Sequence, residues 1–302
     1  MSKHHRNRNW APAPQPLPED AHVIDNHTHV ASVVPFSQAM SHEAMEKGQG
    51  EVPVYSVDEL LEQAQKVGVE GVIDCGCELP NLMTAIDMAR EHPGTVHAAI
   101  AIHPNEAVLH GHRGAPGPDG LPIKYKPWHD IPFDEAMAEV HRLATTYPNQ
   151  VVAIGETGMD LFRTGESAKE LQREAFRAHI ALAKELNLPM QIHDRDSHKE
   201  VIETLLADGA PEHTVFHSYS GDAEMGEIAR ENGWYLSLSG TSSYKGNDGI
   251  RESAKLVGMS HVMVETDAPY LSPMPYRGRT NAPYMIPYTL QALADYLDRS
   301  LA

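Results

Sequence analysis

Eight short runs rich in valine, isoleucine and other apolar residues recur along this chain, each followed by a stretch with helical polar–apolar spacing. No other feature constrains the fold as strongly. In order the runs are HVIDNHTHV (22–30), GVEGVIDCGC (68–77), VHAAIAIHP (96–104) and VVAIGETGMD (151–160), then PMQIHDRD (189–196), TVFHSYSG (214–221), WYLSLSG (234–240) and HVMVETDAP (261–269). Helix-length patterns fall near 57–67, 80–92, 133–146, 167–187, 197–208, 222–232, 248–257 and 285–300. Strands that alternate with helices predict a parallel sheet, and the count of eight predicts its closure into a (β/α)8 barrel, an α/β TIM-barrel fold. A doubly wound open sheet is the alternative that periodicity leaves open. The 302 residues are long for one ordinary core but fit a single barrel domain over 21–302, with no internal repeat.

The clearest helix is SAKELQREAFRAHIALAKEL, where Ser167 and Glu170 have capping-box spacing and Leu171, Ala175, Ala178, Leu182 and Leu186 recur at three- and four-residue steps. Residues 1–20 are polar and rich in proline and arginine, without an apolar signal segment, so they read as a flexible tail on a cytoplasmic protein. No apolar run approaches membrane-spanning length. Two connections, about 31–56 and 106–130, exceed an ordinary loop. The second is studded with glycine and proline and reads as a lid or recognition flap over the barrel mouth.

Net charge is −18, from 24 basic and 42 acidic residues, which disfavours whole-surface binding to nucleic acid or anionic membrane. It leaves room for a local cationic pocket, above all one charged by metal ions. The two cysteines, Cys75 and Cys77, exclude a disulfide framework. Their CxC spacing could serve a soft metal or redox chemistry, but small buried core residues are the simpler reading.

The stretch IDNHTHV ends the first strand with two histidines two residues apart. Side chains alternate along a strand, so His27 and His29 face the same way and could close on one ion. Further ligand-type residues stand at other strand ends: Glu156 after VVAI, His193 after PMQI, His217 after TVF and Asp267 after VMVET. Barrel enzymes place their chemistry at that face. The nitrogen-and-oxygen set, lacking sulfur, suits Zn²⁺, Mn²⁺ or Mg²⁺, and exceeds what one catalytic zinc requires. Two divalent ions sharing a carboxylate match it better.

The motifs IDNHTH, AIHPNE, GETGMDLFR, QIHDRDSH, VFHSYSG and VETDAPYLSP resemble, in content and order, those of the TatD family of metal-dependent deoxyribonucleases, from about residue 22 to the C-terminus. The likeness to the wider amidohydrolase superfamily is more distant. The resemblance implies one metal on His27, His29 and Asp267, a second on His193 and His217, and Glu156 as the bridge. It implies a hydrolase cleaving phosphodiester bonds of DNA, with Asp267 able to take the proton of the attacking water. His103 would bind a phosphate oxygen or protonate the leaving group, and Arg163, Arg195, Arg277 and Arg279 would clamp phosphates. Asp160 and Asp196 would orient these arginines or the histidines. A buried site at a barrel mouth favours single strands or ends, hence exonuclease action. A hydrolase of another ester or amide, such as an aminoacyl-tRNA deacylase, and a non-catalytic metal-binding protein are the alternatives. Departures from the family pattern are the proline-rich tail, the 106–130 insertion and SYSG in place of CFSG.

Overall fold

The computed structural model describes residues 9–48 and 52–301. Its strands are β1 (Val23–Thr28), β2 (Val69–Gly76), β3 (Val96–Ile100), β4 (Val151–Asp160), β5 (Met190–Arg195), β6 (Thr214–Phe216), β7 (Tyr235–Leu238) and β8 (Val262–Val264). They form one sheet in sequence order, each pairing parallel with the next. No ladder joins β8 to β1. The segment after β8 closes that seam instead: Asp267 N–H donates to the His27 carbonyl (2.9 Å), and His29 N–H donates to the Ala268 carbonyl (3.0 Å). Buried Asp25 pins the same seam by accepting from Thr266 N–H (2.8 Å). The (β/α)8 expectation holds, and the seam sets Asp267 beside the two histidines of β1.

Ten helices follow and flank the strands among the described residues: α1 (Val30–Glu46), α2 (Val57–Lys66), α3 (Leu79–Glu91), α4 (Pro104–Ala107), α5 (Phe133–Thr146), α6 (Lys169–Leu186), α7 (His198–Asp208), α8 (Ala223–Asn232), α9 (Asp248–Val257) and α10 (Ile286–Leu297). None is long and apolar enough to cross a membrane. Helix α2 starts at a capping box made by Ser56 and Glu59. The box expected of Ser167 and Glu170 does not form. Ser167 lies inside a 3₁₀ turn (Glu166–Ala168), and α6 begins only at Lys169 with no side-chain cap. The buried face of α6 is also rotated from the expected stripe. Ala175 and Leu182 are buried, but so are Gln172 and His179, which satisfy backbone at the mouth: Gln172 accepts from Asp160 N–H and His179 accepts from Ile102 N–H.

Two loop or tail expectations are corrected, and the expected flap proves to be anchored. Residues 30–46 of the supposed first long loop are helix α1, whose buried Val30, Val33, Ser37, Met40 and Ala44 follow helical spacing despite Pro35. The Asp74 carboxylate of β2, accepting from Val30 N–H at 2.6 Å, supplies the cap that α1 lacks locally. Residues 9–20 do not trail free, while 1–8 lie outside the described residues. Trp10 is buried and donates from Nε1 to the Pro53 carbonyl (2.8 Å), and the Tyr284 hydroxyl donates to the Ala11 carbonyl (2.8 Å). The 106–130 insertion is tethered at its base, where Glu106 accepts from His129 (2.7 Å) and Trp128 (3.2 Å). Its tip pairs with the loop after β4 through Asp119 N–H to the Phe162 carbonyl (3.0 Å) and a bridge between Pro116 and Thr164.

Candidate active site

Two irregularities of strand register aim the central side chains. Where β2 runs from Val72 to Asp74, β1 uses one residue more, from Asp25 to Thr28, and the extra length falls at Asn26–His27. Likewise β4 runs from Ile154 to Thr157 while β5 runs from Met190 to Ile192, with the extra residue at Gly155–Glu156. An added residue re-aims the side chains around it. The glycines of GETG permit this. A Cβ on Gly155 would lie 2.6 Å from Gln191 Cβ, and one on Gly158, at φ +143, would lie 2.1 Å from the His193 carbonyl oxygen. Asp196, Ser218 and Asp267, one to three residues beyond the ends of β5, β6 and β8, also hold positive φ (55, 41 and 53), a strained backbone at the mouth.

The buried Glu156 carboxylate is the centre of the cluster. Its Oε1 lies 3.5 Å from His29 Nε2 and 3.9 Å from His27 Nε2. Asp267 Oδ1 stands 3.5 Å and 4.0 Å from the same two nitrogens. The other oxygen, Oε2, is 2.8 Å from His217 Nε2 and 3.0 Å from His193 Nδ1, with His103 Nε2 at 3.9 Å. Three triads have ligand atoms within 4.8 Å of one another: His27–His29–Glu156, His27–His217–Asp267 and His103–Glu156–His193. All six expected ligands are therefore brought together, with His103 at their edge.

The outer nitrogens of the rings sort their roles. His27 Nδ1 faces Gln191 Oε1 (2.8 Å), whose amide is oriented by donating to the Asn26 carbonyl. His29 Nδ1 faces the Cys75 carbonyl (3.1 Å), His217 Nδ1 faces Glu265 Oε1 (3.2 Å), and His193 Nε2 faces Asp160 Oδ2 (3.3 Å). Each partner is an acceptor for an outward ring N–H, so the inward nitrogen of each ring is the one that a cation could take in place of a proton, as in metal-ligating histidines. His103 is reversed. Its Nδ1 accepts from Asn105 N–H (3.1 Å), so its proton sits on Nε2 and points into the cluster. In this arrangement the ring offers the cluster a donor and no lone pair.

Charge divides the rings along another line. Burial opposes a positive ring at His29, yet Asp267 and Glu156 outweigh it and hold its pKa up at about 10. Burial also opposes charge on His193, but Asp160 and Glu156 raise it to about 9, and Glu156 with Glu265 holds His217 well above the ordinary range. The carboxylates thus demand positive charge, which protons supply in the absence of another cation. Burial and neighbouring imidazoles keep His27 and His103 neutral, His103 down at about 3. The residues fit a bound cation: His27 Nε2 is buried without a hydrogen-bond partner and points at two carboxylates.

Around the mouth, Arg195 lies over the Phe162 ring (4.1 Å) and Arg277 over the Tyr244 ring (4.4 Å), neither in an ion pair among the described residues. Arg163 stands 3.9 Å from Asp119 of the insertion. Arg279 belongs elsewhere, since it donates to the Trp10 carbonyl (2.8 Å) and fixes the N-terminal segment. Asp160 does orient His193, whereas Asp196 is exposed and holds neither a histidine ring nor an arginine by hydrogen bond or ion pair. Sequence reading missed Gln191, Glu265 and Asp74. Gln191 and Glu265 stand two residues from His193 and from Asp267, the only hint that the chain offers.

Imidazoles and carboxylates gathered at a barrel mouth could hold a divalent ion, and the fold, the site and the chain's relatives define a metal-dependent hydrolase. The model of the family described as TatD related DNase matches residues 24–302, and the chain belongs to that family. It is 38% identical over 248 residues (81% of this chain, 84% of the relative) to a Mycobacterium tuberculosis protein named uncharacterized metal-dependent hydrolase TatD. It is 31% identical over 240 residues (79% and 84%) to uncharacterized metal-dependent hydrolase YabD of Bacillus subtilis. Among solved structures, YjjV, a TatD homolog from Escherichia coli, shares the fold at a TM-score of 0.70 and 23% identity, over 91% of this chain and 90% of that one.

Proposed function

We propose that this hydrolase is a deoxyribonuclease that cleaves phosphodiester bonds of single strands or strand ends, as an exonuclease, with two divalent ions shared across Glu156. The observation that carries the reading is the division of Glu156: Oε1 turned to His27 and His29, Oε2 to His193 and His217. A carboxylate so placed can serve two cations and offset their repulsion. Bound there, divalent ions lower the pKa of water and stabilise charge on a phosphoryl group.

The remaining groups take roles around that pair. Asp267, beside His27 and His29 and partly exposed, accepts the proton of the attacking water. His103 presents a neutral N–H to a non-bridging phosphate oxygen, and its low pKa makes it a hydrogen-bond donor rather than the leaving group's acid. Arg163, Arg195 and Arg277 receive phosphates. The Phe162 and Tyr244 rings beneath two of them, with exposed Tyr270 nearby, offer faces on which unpaired bases stack.

Exhaustively chelated protein should be inactive on a single-stranded oligonucleotide and regain activity with Mn²⁺, Zn²⁺ or Mg²⁺. Blunt duplex and a panel of carboxylic esters should be cleaved far more slowly. Full activity in protein shown by elemental analysis to be metal-free, or a preference for the esters, would overturn the proposal.

A further inference from the structure

Strand β2 contributes no imidazole or carboxylate to the cluster, yet its end touches two of the groups that do. The Cys75 carbonyl accepts from His29 Nδ1 at 3.1 Å. Two residues later, Cys77 Sγ lies 3.4 Å from Glu156 Oε1, nearer than to Cys75 Sγ (3.6 Å) or the Cys75 carbonyl (3.8 Å). Both contacts fall on the Oε1 half of the site.

The two oxygens of Glu156 are held unequally. Oε2 is fixed by His217 at 2.8 Å and His193 at 3.0 Å. Oε1 is held more loosely: His29 Nε2 and His27 Nε2 stand 3.5 and 3.9 Å away, and the Cys77 thiol is its one hydrogen-bond donor among the described residues. Without the thiol, rotation about the last side-chain bond of Glu156 would break no hydrogen bond on the Oε1 side. A thiol is a weak donor, but in a buried site it opposes that rotation. Cys77 belongs to none of the triads whose ligand atoms converge within 4.8 Å, which separates it from the ligands themselves.

We infer that Cys77 is a positioning residue: its S–H holds Glu156 Oε1 toward His27 and His29, and so sets the affinity of that half of the site for its ion. The inference rests on the two-ion reading above. It gives the CGC sequence a function that is neither a disulfide nor a sulfur-ligated metal.

The test is Co²⁺ titration of metal-stripped protein, followed by chelator competition and visible spectroscopy, in Cys77→Val, Cys77→Ala and Cys77→Ser. Valine fills the space without a donor, alanine empties it, and serine keeps a donor. Groups that orient ligands typically account for ~10–100-fold in metal affinity. One of the two Co²⁺ affinities should fall about 10-fold or more in Cys77→Val and Cys77→Ala, while the other holds and Cys77→Ser stays near the parent. Equal affinities in all four proteins would overturn the inference, as would an equal loss in Cys77→Ser, which would indicate packing. An intense sulfur-to-cobalt charge-transfer band in the parent would also overturn it by making Cys77 a ligand. If the parent binds one Co²⁺ or none, the two-ion reading itself fails, a result distinct from two ions with unchanged variants.

Discussion

Glu156 is a single side chain asked to face two sets of imidazoles, and its substitution separates folding from metal pairing. Glu156→Gln should keep the far-UV spectrum but lower bound metal from about two ions to about one, since a neutral amide cannot offset two cations. Turnover on a single-stranded oligonucleotide should fall by at least ~10²-fold. Two tightly held ions with near-normal turnover would show that Glu156 is not the bridge. A pH effect belongs to the same residues. The raised values of His29 (about 10) and His193 (about 9) mean that their charged forms stabilise the folded, metal-free chain. That contribution is complete below the ordinary histidine value of 6.5 and is lost as pH rises through about 9 to 10. The Tm of chelated protein should therefore drop on going from neutral to alkaline pH, while metal-loaded protein changes less. An unchanged or rising Tm of the chelated form would contradict this. The ligand-type residues were legible because each follows an apolar run. The groups that set ring tautomers were not, because Gln191 meets His27 across 164 residues of sequence.

Elements were legible where hydrophobic spacing was uninterrupted, and the strands and most helices fall where the alternation puts them. Helix α1 was hidden by Pro35 and by ligand residues at its start, although Val30, Val33, Ser37, Met40 and Ala44 carried the period. The N-terminal segment misled for another reason: proline-rich composition does not reveal that Trp10 finds the Tyr55 ring at 5.0 Å and a carbonyl for its indole. Trp10→Ala should cost about 3 kcal/mol in chemical denaturation, the usual scale for emptying a tryptophan site; a loss below ~0.5 kcal/mol would return the segment to the status of a tail. The insertion can be trimmed between its pins. Replacing 113–126 with a short Gly-Ser linker leaves Glu106, Trp128 and His129 in place but frees the Phe162–Arg163 loop. The fold and metal content should persist while KM for oligonucleotides rises, and unchanged kinetics at every substrate length would remove any role for the flap.

At the scale of the whole molecule, a net charge of −18 surrounds a mouth that must attract an anion. Attraction is therefore local, and salt dependence should be shallow. With Arg163, Arg195 and Arg277 as the cationic side chains on phosphates and His103 neutral, log affinity of metal-free protein for single-stranded DNA against log salt should have a slope of about −2, from ~0.7 per arginine. Arg277→Ala should reduce its magnitude by about 0.7. A slope several times steeper would point to a binding surface beyond the mouth.

The barrel seam has a consequence in time as well as space. Glu156, His193 and His217 come from consecutive strands β4 to β6, whereas the other half joins His27 and His29 of the first strand to Asp267 beyond the last. On a ribosome the ligands of the first half emerge early, although the Glu265 that holds His217 follows only after β8. The second must wait until β8 has emerged and docked against β1. Under the two-ion reading, the ion beside His27 would mark a finished chain.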